Sequence, residues 1–258
     1  MLIHLKNDGI RVVEPVMRND SSYILELNAI EGKRFGILFH AVEGEEGLPT
    51  DLIQERFGSY VAEIHNSLDK ITSPINRWHL DTASFIDKSM AYLMRYSTMY
   101  AFDYQFLFDV ASETKKMIET RFPKTMPEYG LCHGDLYSGN VRMDSSGNLT
   151  VFDFDLCGYG WRAYDISLFI CSFGLGVDAA AMDIRERKKE VFLNGYLKNR
   201  NLSEVEIHSI YLFAPFRRLF NIGSLYAFFA ESWGHDIFFR NVEEEITLLK
   251  DWVNVYKF

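Results

Sequence analysis

Residues 131–164, LCHGDLYSGNVRMDSSGNLTVFDFDLCGYGWRAY, set polar side chains that are costly to bury between short apolar runs. Asp135 and Asn140 stand five positions apart. After Asn140 come Val141, Arg142 and Met143, then Asp-Ser-Ser-Gly-Asn, then an apolar run ending at Phe152. Turn residues between two such runs predict a hairpin. Closing it returns Asp153, at the far end of the second strand, beside Asn140 at the start of the first, so three oxygen-bearing side chains converge. A carboxylate and an amide oxygen are hard ligands suited to Mg²⁺, which keeps several waters and binds through one or two protein groups plus substrate phosphates. Asn140 and Asp153 fit that task, and Asp135 is left to accept a proton from an attacking hydroxyl.

This is the division of labour of kinase phosphoryl transfer: a catalytic-loop Asp, an Asn five residues on, and a metal-binding Asp after a hairpin. With His133-Gly134-Asp135, Asn140, the run Phe152-Asp153-Phe154-Asp155, then Gly158, Gly160 and Tyr164-Asp165, the chain resembles the aminoglycoside phosphotransferase family. That group is similar to choline kinases and bacterial homoserine kinases and shares the protein-kinase-like fold. Any one of these motifs alone is common; the ordered set is specific. Turn and cap residues of an ordinary α+β domain are the competing reading.

The resemblance implies an α+β fold with a truncated, β-rich N-lobe and hinge over 1–44, and a large, mainly helical C-lobe over 45–258 that carries the hairpin. It implies an ATP- and Mg²⁺-dependent phosphotransferase acting on a hydroxyl of a small molecule. Asp135 would be the base, Asn140 and Asp153 the metal ligands, and Asp165 a brace for the catalytic loop. Asp155 reads as either a second metal ligand or a polar partner within its loop. His133 reads as a buried, hydrogen-bonded residue that shapes the loop. Phe39, His40, Ala41 and Val42 would form the hinge whose backbone meets adenine. In the family the acceptor lies between the catalytic loop and the C-terminal helices, which makes Glu231, Trp233 and Asp236 candidates, with Arg217 and Tyr226 nearby. Acidic and aromatic groups there could hold an amine by charge and cation–π attraction, although aromatics at that spacing more often belong to a core.

The chain of 258 residues, 48% hydrophobic, can bury a substantial core. A net charge of -9 argues against binding along a nucleic-acid backbone and is compatible with a cationic acceptor. Cys132, Cys157 and Cys171 are odd in number and lack metal-type spacing, so they read as reduced, buried thiols of a cytoplasmic protein. No signal-peptide pattern opens the chain, and no apolar run approaches membrane-spanning length.

Periodicity places the tail of a helix at 1–6, strands at 10–16, 23–29 and 35–42, and a helix from Thr50 to Leu68 with His65 beside its apolar face and no assigned role. Helices follow at 84–96, 100–122, 164–173 and 178–199. In the last of these, Arg185, Arg187, Lys188 and Lys189 read as a solvated face. Ser203 and Glu206 have the form of a capping box opening a helical region through Ser232, and a final helix covers 242–255. No glycine-rich loop precedes Ile10, and Lys6 and Lys33 lie outside the segment where the family carries its phosphate-pairing lysine. A fragment or a non-catalytic binding relative is therefore the alternative reading.

Overall fold

The computed structural model describes residues 1–30, 32–172, 176–226 and 236–256, the side chains of 225–226 and 236–241 excepted. Helix α1 (Leu2–Asn7) leads into the run at 10–16, which is extended without forming a regular strand. Two isolated bridges replace the ladder, Val12 to Val151 and Pro15 to Phe39. The run changes neighbour between them, and Pro15 has no amide with which to extend either pairing. Strands β1 (Leu25–Ala29) and β2 (Gly32–Gly36) form an antiparallel hairpin whose turn residue Glu31 lies outside the described residues. The strand expected over 35–42 thus stops early, and the chain continues extended, with the His40 amide donating to the Glu14 carbonyl at 2.9 Å.

Two small sheets position the site. Strand β3 (Glu45–Glu46) comes from the segment after the hairpin, and β4 (His79–Leu80) and β5 (Tyr129–Cys132) precede the loop at 133–140. After that loop come β6 (Val141–Met143), β7 (Leu149–Val151) and β8 (Gly158–Trp161). The order β3-β6-β7 is antiparallel throughout, while β8 lies between a parallel β4 and an antiparallel β5. Sequence periodicity misses the second sheet because two-residue strands and the Gly-Tyr-Gly-Trp run carry no alternation.

Helix α2 (Asp51–Leu68) starts where the Thr50 hydroxyl accepts from the Ile53 amide at 3.3 Å. Its buried stripe of Phe57, Val61, Ile64 and Leu68 also includes His65. The helix expected at 84–96 opens instead as a π-helical turn, Ala83–Asp87, before α3 (Lys88–Ser97). Next, α4 (Tyr104–Arg121) begins at Asp103, whose carboxylate caps the Phe106 amide. Helix α5 (Arg162–Ile170) follows β8 directly.

Helix α6 (Ala179–Tyr196) crosses α2 with main chain against main chain. A Cβ at Gly58 would lie 2.1 Å from the Phe192 carbonyl oxygen, and one at Gly195 would lie 1.7 Å from that of Glu55, so neither position accepts a side chain. The solvated cationic face expected on α6 needs correction. Arg185 and Lys188 are each only 4% exposed. The Arg185 guanidinium lies 4.6 Å from the Trp252 ring centre and donates to the Tyr256 hydroxyl at 2.9 Å. The Lys188 amine donates to the Phe169 carbonyl and to Ser172 Oγ, and burial pulls its pKa down to about 7. Charge clustering read from sequence cannot show that half of the cluster turns inward onto carbonyls and rings.

The Ser203–Glu206 capping box is present at α7 (Glu204–His208), but the long helical region is broken into α7, a 3-10 turn, α8 (Phe213–Phe220) and a π-helical turn, Asn221–Tyr226. Pro215 supplies the reason: it lacks an amide and is tolerated only in a first helical turn, which obliges α8 to start afresh. Phe220 belongs to the core, stacked on Phe85 at 4.0 Å between ring centres, with Phe216 on Phe85 at 4.9 Å. The last helix, α9 (Asp236–Tyr256), buries Ile246, Leu249 and Trp252. Among the described residues no helix is long and apolar enough to cross a membrane.

Candidate active site

Strand β5 hands the chain to His133-Gly134-Asp135 through a turn that only glycine permits. Gly134 has φ +84°, and a Cβ there would lie 2.1 Å from the Leu156 carbonyl oxygen. Asp165, fully buried in the first turn of α5, accepts the His133 amide at 2.7 Å on one oxygen and the Gly134 amide at 2.8 Å on the other. His65 of α2 approaches the same carboxylate at 3.2 Å through Nε2, and its Nδ1 lies 2.8 Å from the Tyr196 hydroxyl. An ionised carboxylate only accepts, so Nε2 carries the proton and Nδ1 accepts from Tyr196.

Burial opposes ionisation of Asp165, yet the hydrogen bonds it accepts, first from His65 and then from the Gly134 amide, outweigh it and hold the carboxyl below its usual range. Burial, assisted by the nearby Arg162 cation, pushes His65 down to about 4. The pair is therefore a carboxylate and a neutral imidazole. Because His65 takes up its proton at a lower pH when folded than its ordinary 6.5, the unfolded chain protonates first as pH falls. The stability from this residue is full above pH 6.5 and is lost progressively between 6.5 and about 4. The expected loss is on the order of 3 kcal/mol. Urea midpoints of wild type and His65→Gln at about pH 7 and about pH 4.5 test this; the variant should show the smaller drop, and equal drops would assign the slope to other groups.

His133 is itself engaged on both ring nitrogens. Nε2–H donates to the Phe152 carbonyl at 2.9 Å, Nδ1 accepts the Asp135 amide at 3.2 Å, and the ring lies 4.4 Å from that of Phe154. Asp135 Oδ1 pairs with Arg217 at 2.7 Å, and Asn140 Nδ2 donates to Asp135 Oδ2 at 3.2 Å and to its carbonyl at 2.9 Å. The hairpin closes through Asp144, whose Oδ1 accepts the Ser146 and Asn148 amides, a side-chain turn of the kind Asp favours. At its open end the Phe152 amide donates to the Asn140 carbonyl at 3.1 Å, which sets Asp153 next to Asn140. Asp153 adopts φ +62°, an uncommon conformation for a residue with a side chain. The Tyr137 hydroxyl lies near both acids: burial first, then the Asp135 and Asp153 charges, push its pKa up.

A cavity of about 720 Å³ is lined by Val13, Ile37, Phe152, Asp153 and Asp155, with Arg77 and Arg142 as its lining arginines. Phe39, His40 and Val42 line it as well; Ala41, exposed, does not. Among the described residues the Asp153 and Asp155 carboxylates have no hydrogen-bond or ion-pair partner. Arg77 donates to the Cys157 carbonyl at 2.8 Å and to that of Asp155, fixing the backbone that carries them. A smaller cavity of about 190 Å³ takes in Asp135, Tyr137, Ser172, Arg217, Arg218 and Asn221. Lys6 pairs with Glu14 at 2.6 Å and Lys33 with Glu26, and neither lysine lines these cavities.

Hard oxygen donors, with a carboxylate that has no partner among the described residues, suit Mg²⁺ at Asn140 and Asp153. With Nδ2 of Asn140 turned to Asp135, its Oδ1 is the atom left for a cation. A second cluster, His65, Cys132 and Asp165, brings three ligand-type atoms within 4.8 Å of one another. That cluster does not suit a cation, because Asp165 and His65 are committed as above and Cys132 faces the Arg162 guanidinium at 3.7 Å.

The sequence reading missed His65 and Arg77, and it placed Arg217 near the acceptor rather than on Asp135. The only signal for His65 is a polar residue within a buried stripe. Of the acceptor candidates, Glu231 and Trp233 lie outside the described residues, as do the side chains of Tyr226 and Asp236.

The chain matches the model of the phosphotransferase enzyme family over residues 1–202, and it belongs to that family. An uncharacterized protein of Synechocystis sp. is 29% identical over 216 residues, which is 81% of this chain and 57% of that protein. The chain spans 57% to 64% of the length of the curated relatives that match most of it. Among solved structures, a microcompartment-associated aminopropanol kinase is similar with a TM-score of 0.72 at 20% identity, over 99% of this chain and 78% of that one. An amicoumacin kinase in complex with AMP-PNP, Ca²⁺ and Ami is similar with a TM-score of 0.70 at 18% identity, over 95% of this chain and 75% of that one. At such identities the likeness is one of fold, and that fold is α+β and protein-kinase-like.

Proposed function

We propose that the chain carries the site of an ATP- and Mg²⁺-dependent phosphotransferase acting on a hydroxyl of a small molecule. The observation that carries this reading is the division among the acids: Asp135 is held by Arg217 and Asn140, while Asp153 and Asp155, whose carboxylates have no partner among the described residues, line a cavity of about 720 Å³. That volume falls within the range of ordinary small-ligand sites.

In this reading residues 1–44 face the nucleotide and include the hinge, and residues 45–258 carry the catalytic loop and hairpin. Phe39, His40 and Val42 border the base, and Asp155 stays either a further ligand or a loop residue. Asp135 orients the acceptor hydroxyl and takes its proton as the oxygen attacks the terminal phosphorus of ATP, while the bond from that phosphorus to the β–γ bridging oxygen breaks and ADP leaves with the electron pair. Asn140 and Asp153 hold the cation, and Asp165 keeps the His133 and Gly134 amides, and hence Asp135, in place. Bound there, Mg²⁺ supplies charge neutralisation at the transferring phosphoryl group. The amino-alcohol character of the aminopropanol kinase's named substrate supports an acceptor of that kind. The three buried, unpaired cysteines support a reducing, cytoplasmic setting.

A non-catalytic binding relative is the second reading, favoured by the absence of lysine among the described residues that line the larger cavity. Calorimetric titration with ATP separates the two. Binding should require Mg²⁺ and should weaken at least about tenfold in Asp153→Ala. ATP affinity indifferent to both would sink the phosphotransfer reading.

A further inference from the structure

We propose that Arg217 is the positioning residue of Asp135, a role that rests on the phosphotransfer reading above. Helix α8 brings Arg217 to the catalytic loop from 82 residues downstream, where it donates to Asp135 Oδ1 at 2.7 Å. Its other terminal nitrogen donates to the Gly134 carbonyl at 3.3 Å and to the Tyr164 hydroxyl at 3.2 Å. Tyr164 in turn donates to that same carbonyl at 3.2 Å. The guanidinium therefore joins the side chain of Asp135 to the backbone just before it and to a tyrosine of α5.

The consequence is geometric. Arg217 grips one carboxylate oxygen and Asn140 the other, at 2.7 and 3.2 Å, from two different elements. A carboxylate held on both oxygens has its plane fixed, and it keeps lone-pair sites for an incoming hydroxyl because an ionised carboxylate has about four. A planar fork reaches carboxylate, carbonyl and hydroxyl at once; an ammonium on a flexible stem reaches fewer. At 15% exposure of its side chain, Arg217 is also shielded enough from water for the pair to hold its geometry.

The test uses ATP hydrolysis with water as acceptor, in the presence of Mg²⁺, for wild type, Arg217→Met and Arg217→Lys, together with crystal structures of wild type and Arg217→Met without ligand. The methionine variant should lose about 10²-fold in kcat, as expected for a misplaced reacting group, with KM for ATP within about twofold of wild type. Lysine should recover about tenfold of that loss by restoring one donor to Asp135. In the methionine crystal structure the Asp135 carboxylate should turn away from its wild-type orientation. A methionine variant with wild-type kcat, equal losses in both variants accompanied by a raised KM, or an Asp135 that does not move overturns the proposal. A wild-type chain that does not hydrolyse ATP overturns the phosphotransfer reading instead, and the two crystal structures still decide whether Arg217 orients Asp135.

Discussion

Asp135→Asn is expected to lower phosphoryl transfer by about 10³-fold, the size of a lost general base. Nucleotide affinity should stay within about twofold, because Asp135 is absent from the wall of the larger cavity. The substitution keeps shape and removes basicity. It also leaves one oxygen where Arg217 and Asn140 now each have their own, so one donor loses its partner. That costs about 1–3 kcal/mol of stability. The rate loss must therefore be read on protein shown to be folded, by single-turnover transfer from labelled ATP with a calorimetric ATP titration alongside. A variant within tenfold of wild type would remove Asp135 from the chemistry and leave it a loop residue.

Asp165→Ala should be the most destabilising single change near the site. The side chain is fully buried and accepts three hydrogen bonds, from the His133 and Gly134 amides and from His65. Truncation leaves all three donors buried without an acceptor, and losing one member of such a buried set costs about 3–5 kcal/mol. For a chain of this size that corresponds to a fall in Tm of about 10 °C. Asp165→Asn keeps one acceptor oxygen and should lose about half as much. Thermal melts of the two variants against wild type decide it: equal, small shifts would show that the loop is held by other contacts. Rate measurements on Asp165→Ala should be made well below its melting point, where a residual defect reports on the loop and not on unfolding.

What sequence could show here followed the range of the interactions involved. The hairpin was legible because its turn is built locally: Asp144 binds amides two and four residues on, and the strands beside it are adjacent in the chain. The start of α2 was legible for the same reason, through Thr50 and Ile53. By contrast, His65 meets Asp165 at a separation of 100 residues and Arg217 meets Asp135 at 82, and nothing in either neighbourhood announces the partner. The cationic run on α6 was misread because amphipathic side chains bury their stems and still find carbonyls or rings for their charged ends, as Arg185 and Lys188 do. The long helical region expected from the Ser203–Glu206 capping box takes no account of Pro215, and a cap says where a helix begins and not how far it runs.

The His133 and Gly134 amides belong to a loop, the kind of segment that ordinarily opens fastest. Their acceptor has no contact with solvent and is itself secured by a histidine of α2 whose other nitrogen is held from α6. Releasing either proton to solvent thus requires α2, α5 and α6 to part, which amounts to losing the core. Hydrogen exchange at these two positions should therefore track global unfolding, placing a segment without regular secondary structure among the slowest-exchanging parts of the molecule. A substrate would meet a loop whose conformational entropy was already spent during folding, and binding would not have to order it.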